Sequence, residues 1–459
     1  MSFGLGIGHL LPQFLYFAAI LAALISIFWR PHYGLYFLIP LVPMQTTRYK
    51  LHEFPLGNKL VDILLLSIFI GWLLRAHGRL IPKTPLNKLL AAMVVLFYIA
   101  LLRGSFYLNR DLPLSASDPR FSDWKNYMVM PLLFLVVVAV IREIRQIKIL
   151  VALMAVSTML VNMSFLISTR SRDLAHFSYD TRDAGVLGYA GVNGFAAYVA
   201  QFIVFFLALY AYEKRKTLKL ALLAINGFSL YCLIYSFSRG AYLAAALSLM
   251  FLALFKERKI LIALLIVVIG WQVFLPTAAQ ERIAMTYQKG VGLDNSAKER
   301  VEIWEDAWAL FSQHPVFGIG LETYEYLRRV QADSHGYFGD THDYYLKILV
   351  ETGLLGFGLF LWLLGAIYRQ GWRLFRSAED PFLKSLGLGF ASMMVCAIVL
   401  NIFGDRWSYL QVDGFLWTLL ACVVRGQMIT EEQRAEENAP TLVPVCSFGA
   451  NQVSPRPIS

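Results

Sequence analysis

Apolar runs close to the length of a bilayer crossing recur along almost the whole chain. The hydrocarbon core of a membrane is roughly 30 Å thick and takes about 20 residues of α-helix, so runs of this length leave few other folds open. They are continuous rather than alternating, which excludes a transmembrane β-barrel. Spans are expected near 11–29, 33–46, 60–76, 86–103, 126–141, 149–167, 192–212, 219–237, 240–255, 260–276, 344–367, 385–403 and 410–424. The second is short and carries Pro40 and Pro43, so twelve or thirteen crossings are expected. Only 16% of the 459 residues are charged, against about 25% in soluble domains, which excludes an ordinary soluble enzyme. The expected fold class is all-α, a polytopic membrane helical bundle.

A net charge of +10 would suggest nucleic acid in a soluble protein, but its placement points elsewhere. Six short connections (30–32, 75–88, 142–148, 213–219, 256–259 and 369–384) hold 19 Lys/Arg against 5 Asp/Glu. The alternate connections are near neutral. The positive-inside rule assigns the first set to the cytoplasm, and no nucleic-acid partner is expected. No charged stretch or small-residue cleavage site accompanies Leu11–Trp29, which reads as a retained span. Cys232, Cys396 and Cys422 lie in apolar runs and Cys446 near the end, a pattern that indicates neither a disulfide framework nor a zinc site.

Four segments follow: an N-terminal part of the bundle (1–276), a long outer loop (277–343), a C-terminal part (344–425) and a polar cytoplasmic tail (426–459), expected to be disordered. The loop has 67 residues, 11 acidic and 6 basic. A connection this long is uncommon without a function, although a stabilising cap is the plain alternative. Within it Lys298–Ser312 has helical periodicity, with Val301, Trp304, Trp308 and Phe311 as an apolar stripe suited to the membrane interface. Pro315 ends that helix, Phe317-Gly318-Ile319-Gly320 makes a turn, and a second helix is expected over Leu321–Gln331.

The loop closes on Asp340-Thr341-His342-Asp343-Tyr344-Tyr345, with Thr341 or Asp340 as the expected cap of the following helix. His342 is then expected in the first turn, where the positive end of the helix dipole favours a neutral ring able to take a proton. A lone histidine is more often structural than catalytic; His52, His176, His314 and His335 lack even a helix start. Three outer arginines are harder to explain. Arg239 follows Tyr235-Ser236-Phe237-Ser238 with no room for a loop, so its guanidinium lies at the membrane boundary. Arg300 opens the amphipathic helix, and Arg182 precedes the run containing Asn193. Snorkelling to lipid phosphates is the plain reading of each, whereas the planar guanidinium suits bidentate contact with a phosphate group.

Arginines, a neutral histidine and a lipid-facing cleft suggest one chemistry. A lipid-linked pyrophosphate is held by the arginines while His342 deprotonates an attacking hydroxyl. The cations stabilise the departing pyrophosphate, a role often filled by a metal. No Asp-x-Asp pattern occurs, which fits a reaction without Mg²⁺, and no metal ligand or cofactor is assigned.

These residues resemble the O-antigen ligase superfamily of integral-membrane, GT-C-like glycosyltransferases, which includes O-antigen and exopolysaccharide polymerases. The resemblance rests on Ser238-Arg239-Gly240-Ala241, on Arg300-x-x-x-Trp304 followed by His314-Pro315-x-x-Gly318-x-Gly320, and on Thr341-His342-Asp343-Tyr344-Tyr345-Leu346 with Glu351-Thr352-Gly353-Leu354-Leu355-Gly356. It covers roughly residues 180–370. It implies a large outer loop over a lipid-facing cleft, an undecaprenyl-pyrophosphate-linked oligosaccharide donor, and metal-independent, inverting transfer at the outer face of the bacterial inner membrane. The family's catalytic histidine maps onto His342 and its arginines onto Arg239 and Arg300. Arg182, Asn193, Trp304 and Tyr345 are assigned to substrate binding. Many members carry Asn after the histidine; this chain carries Asp343.

Two enzyme readings share the site: a polymerase extending a surface or exported polysaccharide on a glycan or lipid-linked glycan acceptor, and a ligase passing glycan to lipid A core or a protein. No segment suggests a protein-acceptor site, so the polymerase is taken first. A polysaccharide or lipid transporter is the alternative from another class, but the matching halves and interrupted spans common in transporters are not visible.

Overall fold

The computed structural model describes residues 11–44, 51, 53–76, 82–115, 117–256, 258–288, 292–293, 295–332 and 341–437. His52, His335, Asp340 and Cys446, singled out above, lie outside the described residues. The chain is an all-α polytopic membrane bundle. Its first half comprises α1 (Leu11–Phe28), α2 (Pro31–Leu41), α3 (Leu60–Leu73), α4 (Asn87–Tyr107), α5 (Pro119–Val140), α6 (Ile144–Thr169) and α7 (Gly191–Tyr212). Then come α8 (Lys216–Tyr235), α9 (Arg239–Phe255) and α10 (Arg258–Ile269). The outer loop folds into α11 (Thr277–Ala284), α12 (Asn295–Gln313) and α13 (Thr323–Ala332), with a two-residue ladder pairing Tyr287–Gln288 and Gly292–Leu293. The chain closes with α14 (Tyr344–Ser377), α15 (Pro381–Leu400) and α16 (Leu410–Glu437).

Each expected span contains a helix. Among the described residues, nine helices are long and apolar enough to cross a membrane, and α3 and α9 are shorter apolar helices. Position in the bundle follows from which faces are apolar. Helices α7, α15 and α16 are enclosed by protein, with Phe195, Phe202, Phe205 and Phe206 of α7 fully buried. Helix α10 has no buried residue, and its Ile262, Val268 and Ile269 face outward as lipid-exposed side chains do.

The final helix continues to Glu437, through the first twelve residues of the segment assigned to the tail. Glu, Gln, Arg and Ala favour helix there. Arg434 Nη2 donates to the Ser377 carbonyl at 2.7 Å, and Arg373 pairs with Glu431 at 2.7 Å.

In the outer loop both expected helices form, and the apolar stripe of α12 is divided between protein and the outside. Ile303 and Ala307 are buried against Ile319, Tyr324 and Val350, with Trp304 and Phe311 packed beside them. Val301 and Trp308 point outward. The helical period was visible in the sequence; which face met protein was set by the segment that follows.

That segment repairs a broken helix. Helix α14 would be about 51 Å long if straight, at 1.5 Å per residue. It breaks at Gly353, whose φ of 66° and ψ of −168° leave the helical region. The break opens two helical hydrogen bonds, and the Pro315–Gly320 turn supplies both missing halves of each. Leu354 and Leu355 donate to the carbonyls of Pro315 and Val316 at 2.8 and 3.4 Å. The carbonyls of Val350 and Glu351 accept from Ile319 and Gly320 at 3.0 and 2.8 Å. Val350 to Gly353 are buried, and a buried backbone group left unpaired costs about 1–3 kcal/mol, so the break needs this turn. The turn is tied in turn to α4: Leu321 donates to the Ala100 carbonyl at 3.0 Å, and Arg103 Nε to that of Gly318 at 2.6 Å.

Gly353 is required twice over. Its φ is positive, and an added Cβ would lie 2.3 Å from the Val316 carbonyl oxygen. We predict that Gly353→Ala destabilises the protein by on the order of 3 kcal/mol. Gly358 in the same helix has open space where a Cβ would stand, so Gly358→Ala is expected to be neutral or slightly stabilising. Thermal melts of the detergent-solubilised proteins test the contrast; equal melting points for the two variants would refute it.

Candidate active site

Helix α8 ends at Tyr235 and α9 begins at Arg239, leaving three residues to reverse the chain. Phe237 takes the left-handed conformation, φ 54°, and is fully buried. Ser238 stands at the cap position but makes no cap; its hydroxyl instead donates to Asn193 Oδ1 at 3.0 Å. The first turn of α9, at Arg239, Gly240 and Ala241, therefore lines a cavity without a side-chain cap over it. An uncapped helix N-terminus favours an anion.

The cavity has a volume of about 290 Å³. Five arginines line it from five separate segments: Arg182 from the loop before α7, Arg239 from α9, Arg282 from α11, Arg300 from α12 and Arg406 from the turn before α16. Among the described residues, no carboxylate lines it. Like charges ~8 Å apart repel by roughly 2 kcal/mol at an effective dielectric near 20, so such a set calls for a multivalent anion.

Arg182, Arg239, Arg282 and Arg406 are held by an amide, a hydroxyl, backbone carbonyls and aromatic rings. Arg182 Nη2 donates to Asn193 Oδ1 at 2.7 Å and Nε to the Ser236 carbonyl at 3.3 Å. Burial, then the positive charges of Arg282 and Arg239, push its pKa down to about 10, which leaves it a cation at neutral pH. Arg239 Nη1 donates to Thr286 Oγ1 at 2.8 Å. Arg282 is 4% exposed and stacks over Phe177 and Tyr179, 4.9 and 5.2 Å from their ring centres. Arg406 is buried and its Nη1 donates to the Asp405 carbonyl at 3.0 Å.

Of the expected site residues, Arg182, Asn193, Arg239 and Arg300 converge here. Among the described residues that line the cavity, His342, Trp304 and Tyr345 do not appear. Trp304 Nε1 donates to the Thr341 carbonyl at 3.1 Å, which fixes the residue before His342 one helical turn from Arg300. Tyr345 Oη donates to the Ile398 carbonyl at 2.8 Å and binds α14 to α15. Both expected substrate ligands thus direct their polar atoms at backbone.

The helix start at His342 differs from expectation. Asp343 is the cap, its carboxylate accepting from the amides of Tyr345 and Leu346 at 2.8 and 3.2 Å. Thr341 instead donates to the Asp343 carbonyl at 2.7 Å. His342 precedes the cap with φ 53° and is not in the first turn. The positive end of the helix dipole is answered by the Asp343 carboxylate, so it is not turned on His342 alone.

Arg282 and Arg406 were missed. Arg406 sits in Gly404-Asp405-Arg406-Trp407, between two apolar runs with little room for a loop. The reasoning that singled out Arg239 applies equally to it. Arg282 carries no local signal; only the packing of α11 against the 172–184 loop identifies it.

A family model described as O-antigen ligase matches residues 224–361. No curated protein matches the chain. The matched stretch holds Arg239, Arg282, Arg300, the 315–320 turn, His342 and the Gly353 break, while Arg182, Asn193 and Arg406 lie outside it. It supports a membrane protein of ligase or polymerase type that handles lipid-linked glycans. The match over residues 224–361 supports membership of the O-antigen ligase/polymerase superfamily.

Proposed function

We propose that the chain transfers a glycan from undecaprenyl pyrophosphate to an acceptor hydroxyl at the outer face of the bacterial inner membrane, polymerising a surface or exported polysaccharide. The observation that carries this reading is the convergence of five arginines on one cavity, at a helix N-terminus without a side-chain cap. Its size and charge suit a pyrophosphate, and the apolar side chains of Leu243, Leu400 and Phe403 at its border suit the lipid that bears it.

In the proposed step the acceptor oxygen forms a bond to the anomeric carbon from the side opposite the pyrophosphate. The bond from that carbon to the pyrophosphate oxygen breaks, and the acceptor proton passes to His342. The leaving lipid pyrophosphate gains one negative charge, which preorganised guanidinium groups stabilise more strongly than they do the donor. His342 lies on a segment held by the Trp304–Thr341 hydrogen bond and by the Asp343 cap, which supports a fixed position for the base.

Turnover of lipid-linked glycan in proteoliposomes tests the reading. His342→Ala should lower turnover by roughly 10³-fold with normal insertion. Arg239→Lys keeps the charge but loses the planar fork, and about 10²-fold is expected. Near-normal rates in both variants would sink the proposal. A ladder of chain lengths indicates a polymerase and a single transfer to lipid A core a ligase. Movement of glycan without a new glycosidic bond indicates a transporter.

Asp343 provides a separate check. Asn and Asp cap helices equally well, so Asp343→Asn should retain stability and activity. Asp343→Ala should lose about 1 kcal/mol of stability, and activity with it. If Asn is as damaging as Ala, the carboxylate does more than cap.

A further inference from the structure

Arg406 reaches the anion cavity from a turn whose shape depends on its neighbours. Asn401 Oδ1 accepts from the amides of Arg406 and Trp407 at 3.1 and 3.0 Å. Asp405, 3% exposed, accepts from the amide and the hydroxyl of Ser408 at 3.1 and 2.6 Å. The same carboxylate faces Lys347 Nζ at 3.5 Å. Lys347 is itself buried, one turn into α14, and its ammonium also meets Glu322 at 3.3 Å and Glu325 at 3.9 Å.

One ammonium group thus joins three pieces of chain. They are the helix start that follows His342, the turn leading from Gly320 into α13, and the loop that presents Arg406. Lysine suits this task because its three N–H donors turn freely about a compact charge and can serve several carboxylates at once. Lys347 is not among the described residues lining the anion cavity; its contact with the loop that presents Arg406 is Asp405.

We propose that Lys347 is a positioning residue that, through Asp405, sets where the Arg406 guanidinium stands in the anion cavity, in register with the helix start at His342. The proposal rests on the reading of that cavity as a pyrophosphate site. Arg406 belongs to the last turn between helices and lies far in sequence from the family-matched stretch, whereas Lys347 lies within that stretch. The ion pair is thus the link by which the matched domain controls an arginine outside it.

The test is binding of inorganic pyrophosphate to the full-length protein in nanodiscs, followed by isothermal titration calorimetry. Lys347→Met should weaken binding roughly tenfold or more, and Lys347→Arg should recover most of it. In an Arg406→Ala background, Lys347→Met should have no further effect; an equal loss in both backgrounds overturns the proposal. Lys347→Met leaves buried carboxylates without their cation, so Ser408→Ala serves as the milder probe of the same carboxylate. It should weaken binding a few-fold with Arg406 present and not at all without it, and the opposite result overturns the proposal. Tight binding by the wild type with unchanged affinity in Lys347→Met removes the role of Lys347 alone. Absence of binding by the wild type removes the anion reading, and this proposal with it.

Discussion

Four backbone hydrogen bonds between the Pro315–Gly320 turn and the break at Gly353 tie the outer loop to the bundle. Each is ordinary, but the break at Val350–Gly353 is buried, where water is no ready substitute. The break could not exist without the turn, and the turn holds its shape only against the break and α4. This mutual dependence places α12, with Arg300 and Trp304, directly over the start of α14, with His342. Two motifs far apart in the sequence, His314-Pro315-x-x-Gly318-x-Gly320 and Glu351-Thr352-Gly353, are the two halves of one backbone joint.

The joint leaves an electrostatic problem beside it. Five arginines face one small cavity from five separate segments of the chain. Carbonyls, hydroxyls, the Asn193 amide and aromatic faces take up their donors. Such contacts fix a guanidinium in place while it stays a cation. The carboxylates of Glu322, Glu325 and Asp405 gather around Lys347.

Several parts of the site were legible because they leave a local trace. Arg239 stands between two apolar runs with no loop to hold it, and the period of Lys298–Ser312 marks a helix. The cap was misassigned because Asp340, Thr341 and Asp343 are all capping residues within four positions, and the choice depends on where the backbone first turns helical. Trp304 and Tyr345 were taken for substrate ligands because an aromatic residue beside a charged motif reads the same whether its polar atom meets a sugar or a carbonyl. Arg282 left no trace at all, since its place depends on Phe177 and Tyr179, about a hundred residues away in the chain.

The sequence by itself determined that this is a multi-spanning helical membrane protein, where its helices lie, which connections carry the positive charge, and that the loop at 277–343 stands apart. Those properties depend on the character of neighbouring residues and on their spacing, both of which are local. Only the tertiary structure decided that Arg182, Arg239, Arg282, Arg300 and Arg406 share one cavity, that α14 is broken and repaired from outside, and that Lys347 joins three segments. Those properties depend on which helix faces pack together, and local spacing carries no record of a partner two hundred residues away.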